Sequence, residues 1–303
     1  MRPNDFAKWL VMTMPLAALC LTVQYGVFAA EDVTLTHVHG LSYSKDGKRL
    51  FIPSHDGLAI YNGGRWSKAP GPQHDYMGFV GTKDCFYSSG HPAQGSGLVN
   101  PFGLMKSSDG GNTWQKLGLE GESDFHILAA GYETNAIYVY NPKPSSRMAT
   151  AGLYRTLNDG FVWQQAKGAG LKGEIFSLAV HPTDAAIIAI GTDSGLFFSQ
   201  DQGNKLKPLE TGHQVLAVYF DLDGQHLWYG WFDGSPHFAR LKLGDSKPTL
   251  IDLPPLSRDA VSYIAQNPVK RGEFAIATFQ RNIYLSEDRG KSWRQIADRG
   301  RTQ

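Results

Sequence analysis

The chain contains little cysteine, which limits how the folded protein can be stabilised. Two cysteines occur among 303 residues, Cys20 and Cys85, and Cys20 falls in an N-terminal segment that we expect to be removed. A single remaining thiol cannot form an intramolecular disulfide, so an exported protein with this sequence must rely on its core for stability.

An excess of charge of one sign is also missing. The 29 Lys and Arg residues balance 28 Asp and Glu residues, for a formal net charge of +1. Without a basic cluster we expect no nucleic-acid partner, and nothing beyond the N-terminal segment points to a membrane surface. The expected partner is a metal ion, a small molecule or glycan, or an envelope protein, and we expect a monomer.

A long hydrophobic run occurs only near the N-terminus. Basic residues precede an apolar stretch from Trp9 to about Val23, and the small residues Ala29 and Ala30 follow. This order is typical of a secretory signal peptide. We predict such a peptide over residues 1–30, with an uncleaved anchor as the alternative, and a periplasmic or secreted mature protein.

An eight-residue phrase occurs four times in the rest of the chain. It has Ser or Thr first, Asp or Asn third, Gly fifth and usually Trp eighth, and its copies begin at Ser107, Thr156, Ser199 and Ser286. The Asp or Asn can accept hydrogen bonds from backbone N–H groups, and Gly supplies a positive φ. The phrase therefore predicts repeated β-hairpin turns in which the Asp residues are structural.

The spacing of this phrase predicts the architecture. Asp109 and Asn158 are 49 residues apart, Asn158 and Asp201 are 43 apart, and the 87 residues from Asp201 to Asp288 fit two further units. Periods of about 40 to 50 residues with several short strands are typical of propeller blades. We predict an all-β, six-bladed β-propeller over residues 31–303, since no segment remains for a seventh blade.

Two units carry insertions, residues 91–101 and 141–148. Both are predicted to connect the second and third strands of their blades, on the face where each innermost strand begins. Long loops on one face of a rigid scaffold are candidates for function.

Six of the ten histidines lie in the first three units, and the blade alignment places them on that same face. His37 and His39 are predicted to begin the innermost strand of blade one, pointing to the same side because strand side chains alternate. The others occupy loops or strand starts of blades one to three: His55, His74, His91 and His126, with Asp75 and Asp124 beside them.

Imidazoles accompanied by carboxylates suit a transition metal such as zinc, copper or iron. The leading hypothesis is therefore metal binding by His37, His39, His55, His74, His91 and His126. The same residues would also suit acid–base chemistry or direct ligand contact, and structural hydrogen bonding between blades stays open. Opposite them we expect a wall of aromatic and polar residues, either facing a ligand or filling the channel: Phe176, Asp193, Trp231, Asp233, Tyr263, Phe279, Gln280 and Arg281.

The repeated phrase resembles the Asp-box, S-x-D-x-G-x-T-W, of sialidases, sortilin-related receptors and photosystem II assembly propellers. His37-Val38-His39-Gly40 and Asp124-Phe125-His126 are similar to motifs of small exported bacterial proteins labelled glycosyl hydrolases. The resemblance implies a propeller with the boxes at the blade periphery. Sialidases hold their substrate with three arginines, the first in an Arg-Ile-Pro motif that this chain lacks, so sialidase activity is not expected.

Two other functions stay open. A different glycoside hydrolase would need two carboxylates about 5 to 9 Å apart. If the protein is an enzyme, Asp75 and Asp124 are the candidate catalytic residues. A metal-dependent hydrolase is a further form of the enzyme hypothesis. A non-catalytic docking propeller would use the Pro-rich loop at residues 141–148 to contact an envelope partner.

Overall fold

A computed structural model of the protein describes residues 33–303, which form β-strands and connecting loops without a helix. The predicted signal peptide, residues 1–30, lies outside the described residues. Within residues 33–303 there is no helix of the length and apolarity needed to cross a membrane.

Consecutive strands form six antiparallel sheets, each in simple chain order. Blade one is β1 (Ser42–Tyr43), β2 (Leu50–Ser54), β3 (Gly57–Asn62) and β4 (Arg65–Lys68); blade two is β5 (Asp75–Gly81), β6 (Phe86–His91), β7 (Leu104–Ser107) and β8 (Gln115–Gly118); blade three is β9 (Leu128–Ala130), β10 (Ile137–Asn141), β11 (Gly152–Thr156) and β12 (Gln164–Gln165). Blade four is β13 (Ile175–Val180), β14 (Ile188–Thr192), β15 (Gly195–Ser199) and β16 (Lys207–Thr211); blade five is β17 (Gln214–Phe220), β18 (His226–Phe232), β19 (Pro236–Lys242) and β20 (Thr249–Leu250); blade six is β21 (Val261–Gln266), β22 (Phe274–Thr278), β23 (Ile283–Ser286), β24 (Arg294–Asp298) and β25 (Arg301–Thr302).

The first strands of neighbouring sheets contact one another around a complete ring. The contacts run from β1 to β5, β9, β13, β17 and β21, and β21 returns to β1. Residues 33–303 therefore form a six-bladed β-propeller, as the repeat period predicts.

The core lies between adjacent blades. Both faces of most strands are covered, so β2, β14 and β22 are buried along their whole length. Ile52 of blade one packs in one cluster with Ala275 and Ile283 of blade six, and Phe197 of blade four packs with Tyr138 of blade three. Burial of apolar faces between sheets holds the ring together.

The repeated phrase closes the turn between the third and fourth strands. In blade two, Asp109 accepts hydrogen bonds from the hydroxyls of Ser107 (2.9 Å) and Thr113 (2.6 Å) and from the backbone N–H of Thr113 (2.9 Å). Gly111 has a φ of 86°, which favours glycine. The Asp and Asn residues of the phrase thus stabilise turns away from the axis.

The N-terminal segment closes the ring onto blade six. The N–H of Leu35 donates to the carbonyl of Gly300 (2.8 Å), Thr34 forms a bridge with Arg301, and the hydroxyl of Thr302 donates to the carbonyl of Val33 (2.7 Å). This closure holds the chain immediately before His37.

Candidate metal site at the axial mouth

A cavity of about 910 Å³ runs along the propeller axis, and all six innermost strands line it. We call this cavity the axial channel. His37 and His126 border it, as do Phe176, Tyr263 and Phe279 from the later blades. The channel therefore has imidazoles on the side of blades one to three and aromatic rings from both sides.

Three histidines of blade one form a compact set, which we call the first histidine group: His37, His39 and His55. One ring nitrogen from each lies within 4.8 Å of the other two, and the ring centroids are 4.4 to 5.5 Å apart. His55 lies in the tight connection between β2 and β3, which brings its ring over the other two.

His37 and His39 precede β1 and do not form its first residues, contrary to the prediction from the strand pattern. β1 begins only at Ser42. The register of β1 with β2 pairs Ser42 with Phe51, so Pro53 of β2 would pair with Gly40. Proline has no N–H to donate to that partner, and the pairing of β1 with β2 ends before it.

A glycine lets this segment pack closely against blade two. A Cβ at Gly40 would lie 2.6 Å from the carbonyl oxygen of Phe79, so a larger residue would push the segment away. The glycine after His39 therefore helps to place the histidines beside β5.

Asp75, the first residue of β5, lies behind the first histidine group. Its carboxylate accepts a hydrogen bond from Nδ1–H of His55 (2.7 Å) and lies 3.6 Å from Nε2 of His39. A carboxylate that accepts from one ring nitrogen fixes the tautomer and leaves the other nitrogen free as a metal ligand. Asp75 is placed to orient His55 in this way.

Burial lowers the pKa of His39 to about 4; the charge of Asp75 opposes this shift, and His55 and His37 add to it. The Nε2 atom of His39 is buried and has no hydrogen-bond partner. His39 is therefore neutral near pH 7, with a ring nitrogen available for a ligand.

A second compact set comes from blades two and three, and we call it the second histidine group: His91, Asp124 and His126. Oδ2 of Asp124 lies 2.7 Å from Nε2 of His126 and 3.2 Å from Nε2 of His91. Burial alone would raise the pKa of Asp124, but the hydrogen bond from His126 and the charges of both histidines hold it below the ordinary value. The same hydrogen bond raises the pKa of His126.

Two contacts position the second histidine group. Nδ1 of His91 lies 2.7 Å from Oδ1 of Asn100 in the long loop of blade two. The buried Phe125 donates its N–H to the hydroxyl of Ser89 in β6 (3.0 Å). Asp124 and His126 flank Phe125 and precede β9. They therefore lie before the innermost strand, whereas the sequence predicted that they begin it.

The two groups are neighbours. Asp75 and His91 are directly paired residues of β5 and β6, so their side chains lie on the same face. Charge on His126 lowers the pKa of His39, and charge on Asp75 raises that of His126. The five histidines and two carboxylates therefore form one continuous polar rim.

His74 does not join either group. It is 6% exposed, packs against Phe102 with ring centroids 5.0 Å apart, and accepts a hydrogen bond through Nδ1 from the N–H of Ala93 (2.9 Å). Burial lowers its pKa. In this structure His74 supports the start of the long loop of blade two.

The predicted aromatic wall is only partly present. Phe176, Tyr263, Phe279, Gln280 and Arg281 line the axial channel. The remaining three members are not among the lining residues: Asp193 accepts from the N–H of Glu174, Trp231 stacks on His237, and Asp233 pairs with His237.

Sequence patterns missed several residues that shape the site. Asn100 supports His91, and Ser89 holds Phe125. Tyr132 and Tyr219 line the axial channel. No spacing rule identifies these contacts: Asn100 and Ser89 act within blade two and on its neighbour, and Tyr132 and Tyr219 reach the channel through the closed ring.

Comparison with solved structures places the protein among β-propellers. A GH74 enzyme from Niastella koreensis is similar with a TM-score of 0.61 at 15% identity, over 88% of this chain and 46% of that one. The extracellular domain of a putative one-component system from B. thetaiotaomicron gives 0.55 at 14% identity, over 88% and 35%. YCF48 bound to D1 peptide gives 0.51 at 18% identity, over 88% and 84%.

These likenesses define the fold, and at such identities they define the fold alone. The chain spans less than half the length of the GH74 enzyme and of the B. thetaiotaomicron protein. No protein-family model matches the sequence, and a search of curated proteins gives no match.

Proposed function

We propose that this propeller is an exported protein that binds a transition-metal ion at its axial mouth, through the first histidine group. One observation carries the proposal: three imidazoles from two separate segments of blade one converge within 4.8 Å, with the carboxylate of Asp75 behind one of them. Three imidazole rings that share a centre form the kind of ligand set that holds a metal ion.

The ligand type limits the choice of metal. Imidazole suits zinc, copper and iron, whereas magnesium and calcium prefer oxygen ligands. His37 borders the axial channel, so an ion held by the three rings would face the channel with a coordination position left for a small ligand. The aromatic side of the channel would contact the body of that ligand.

Metal analysis of untagged protein tests this proposal. We expect near-stoichiometric zinc, copper or iron in protein purified from the periplasm, and a loss of metal from the first histidine group in His37→Ala and His39→Ala. His237→Ala is the matched control, because His237 also pairs with an aspartate, 2.9 Å away, outside both groups. Metal-free protein whose melting temperature does not respond to any of the three ions would refute the proposal.

Glycoside hydrolysis is the second candidate, supported by the fold of the GH74 enzyme and by the channel. Its weakness is that Asp124 has a lowered pKa, which disfavours a proton-donating role. This function predicts turnover of an aryl glycoside that a chelator does not inhibit and that Asp75→Asn or Asp124→Asn abolishes.

A docking role is the third candidate, and the fold of YCF48 bound to D1 peptide is its support. It predicts that the loop at residues 141–148 contacts a partner protein. Pull-down from envelope extract with the intact chain and with this loop shortened would distinguish docking from metal binding, because the histidine groups remain in both proteins.

A further inference from the structure

We infer that the axial mouth holds two metal ions, the second bound by His91, Asp124 and His126 next to the first histidine group. This inference rests on the proposed function and extends it from one ion to a pair. The donor atoms of each group lie within 4.8 Å of one another.

The contacts of His91 direct its second ring nitrogen into the group. Oδ1 of Asn100 lies 2.7 Å from Nδ1 of His91 and fixes the orientation of the ring. Nε2 of His91 then lies 3.2 Å from Oδ2 of Asp124, so an imidazole and a carboxylate meet at one point.

A second polar atom in the same group is free. Oδ1 of Asp124 is buried and has no hydrogen-bond partner, although a buried carboxylate oxygen normally has one. An ion bound by Nε2 of His91, Nε2 of His126 and the carboxylate of Asp124 would satisfy it. The ion would displace the proton that now links His126 to Asp124.

The two groups differ in donor chemistry. The first offers three imidazoles, and the second offers two imidazoles and one carboxylate. The second set suits divalent zinc or iron, which are often held by two histidines and a carboxylate with positions open to a ligand. Its negative charge partly offsets the repulsion between two neighbouring divalent ions.

Asp75 connects the two groups. It accepts a hydrogen bond from His55 of the first group and is the direct cross-strand partner of His91 in the second. His37 from one group and His126 from the other border the same channel. A ligand in the channel would therefore lie beside both groups.

Zinc titration of the chelator-stripped full chain, with a competing chromophoric chelator, tests the inference. The wild-type protein should bind two zinc ions. His126→Ala should bind one, and because His126 is 59% exposed in its side chain its loss should leave the fold intact. His39→Ala should also bind one, the double variant none, and His237→Ala two.

Asn100→Ala supplies a check that does not remove a ligand. Loss of the oxygen that orients His91 should weaken only the second zinc ion, by about 10-fold to 100-fold, and the melting temperature without zinc should stay close to that of the wild type. Asn100→Asp, which keeps the acceptor, should restore tight binding.

The outcomes separate this inference from the proposed function. One zinc ion in the wild type that His39→Ala removes and His126→Ala leaves would overturn the second site while the proposed function stands. One zinc ion that either variant removes would show a single shared site and would also overturn it. No zinc binding would overturn the pair of zinc sites, and no binding of copper or iron either would overturn the proposed function as well.

Discussion

At the scale of single residues, the hydrogen-bond partner decides what an imidazole does. His74 and His91 both belong to blade two, yet His74 is buried and its Nδ1 accepts from the N–H of Ala93. Nδ1 of His91 instead meets the oxygen of Asn100, and its Nε2 lies on the rim, 3.2 Å from Oδ2 of Asp124. The first contact holds a loop in place, and the second turns a ring toward the second histidine group.

Asp221 provides a prediction at this scale. It is 2% exposed and accepts a hydrogen bond from the indole N–H of the buried Trp228. Burial raises its pKa to about 6, although the bond from Trp228 opposes the shift. Between the unfolded value near 4 and the folded value, the folded state keeps a proton that the unfolded state loses, so stability falls as pH rises through this window.

Asp221→Asn should abolish this dependence, since the amide oxygen can still accept from Trp228 and carries no charge. Relative to the wild type, the variant should gain stability between pH 4 and pH 7, by about 3 kcal/mol at most. Urea unfolding at both pH values measures the difference. An equal difference at the two pH values would contradict the raised pKa.

At the scale of elements, the turn of each repeated phrase stabilises its hairpin independently of the site. Asp109→Ala removes three hydrogen bonds from Ser107 and Thr113. We expect the free energy of unfolding to fall by about 1 to 2 kcal/mol, because the turn is solvent-exposed and water replaces part of the lost bonding. Metal content should not change.

Asp109→Asn is the matched control for this turn. Blade three carries Asn158 at the equivalent position, and its amide oxygen accepts from the hydroxyl of Thr156 and the N–H of Val162. Asn at position 109 should therefore retain most of the stability. Thermal and urea unfolding of both variants check the order, and an Asn variant as unstable as the Ala variant would show that charge, not acceptor geometry, holds the turn.

The elements that repeat are also the ones that could be predicted from the sequence. The period of the phrase predicted the number of blades, because each turn needs the same small set of residues. The convergence of His37, His39 and His55 followed from the blade alignment. Three features did not follow from it: the position of His37 and His39 before β1, the separation of His74 and the division into two groups. They depend on the early end of the ladder between β1 and β2, on the burial of the His74 ring and on the path of the loop at residues 91–101.

At the scale of the whole molecule, closure of the ring and the first histidine group are linked. Residues 33–35 pair with the end of blade six, and His37 follows two residues later. Arg281 of blade six donates to the carbonyl of Thr36 (3.0 Å). The position of His37 therefore depends on a contact between the two ends of the propeller, whereas the second histidine group depends on blades two and three alone.

Deletion of residues 301–303 tests this link. It removes β25, the bridge between Thr34 and Arg301, and the bonds from Thr302 to Val33 and from Trp66 to Gln303. The deletion also removes the ladder between β24 and β25 and the bond from the N–H of Gln303 to the carbonyl of Ile296. With about 1 kcal/mol for each lost hydrogen bond, the free energy of unfolding should fall by more than about 3 kcal/mol. Zinc binding should weaken at the first histidine group and stay unchanged at the second.

Arg301→Ala is the control for this deletion, because it keeps the backbone bridge and removes only an exposed side chain. Urea unfolding of the two proteins measures the change in stability. Zinc titration measures each group separately: the first group in the His126→Ala background and the second group in the His39→Ala background. Equal weakening of both groups would mean that closure supports the whole mouth and not blade one in particular. Weakening confined to the first group would show that the contact between the chain ends sets the geometry of its ligands.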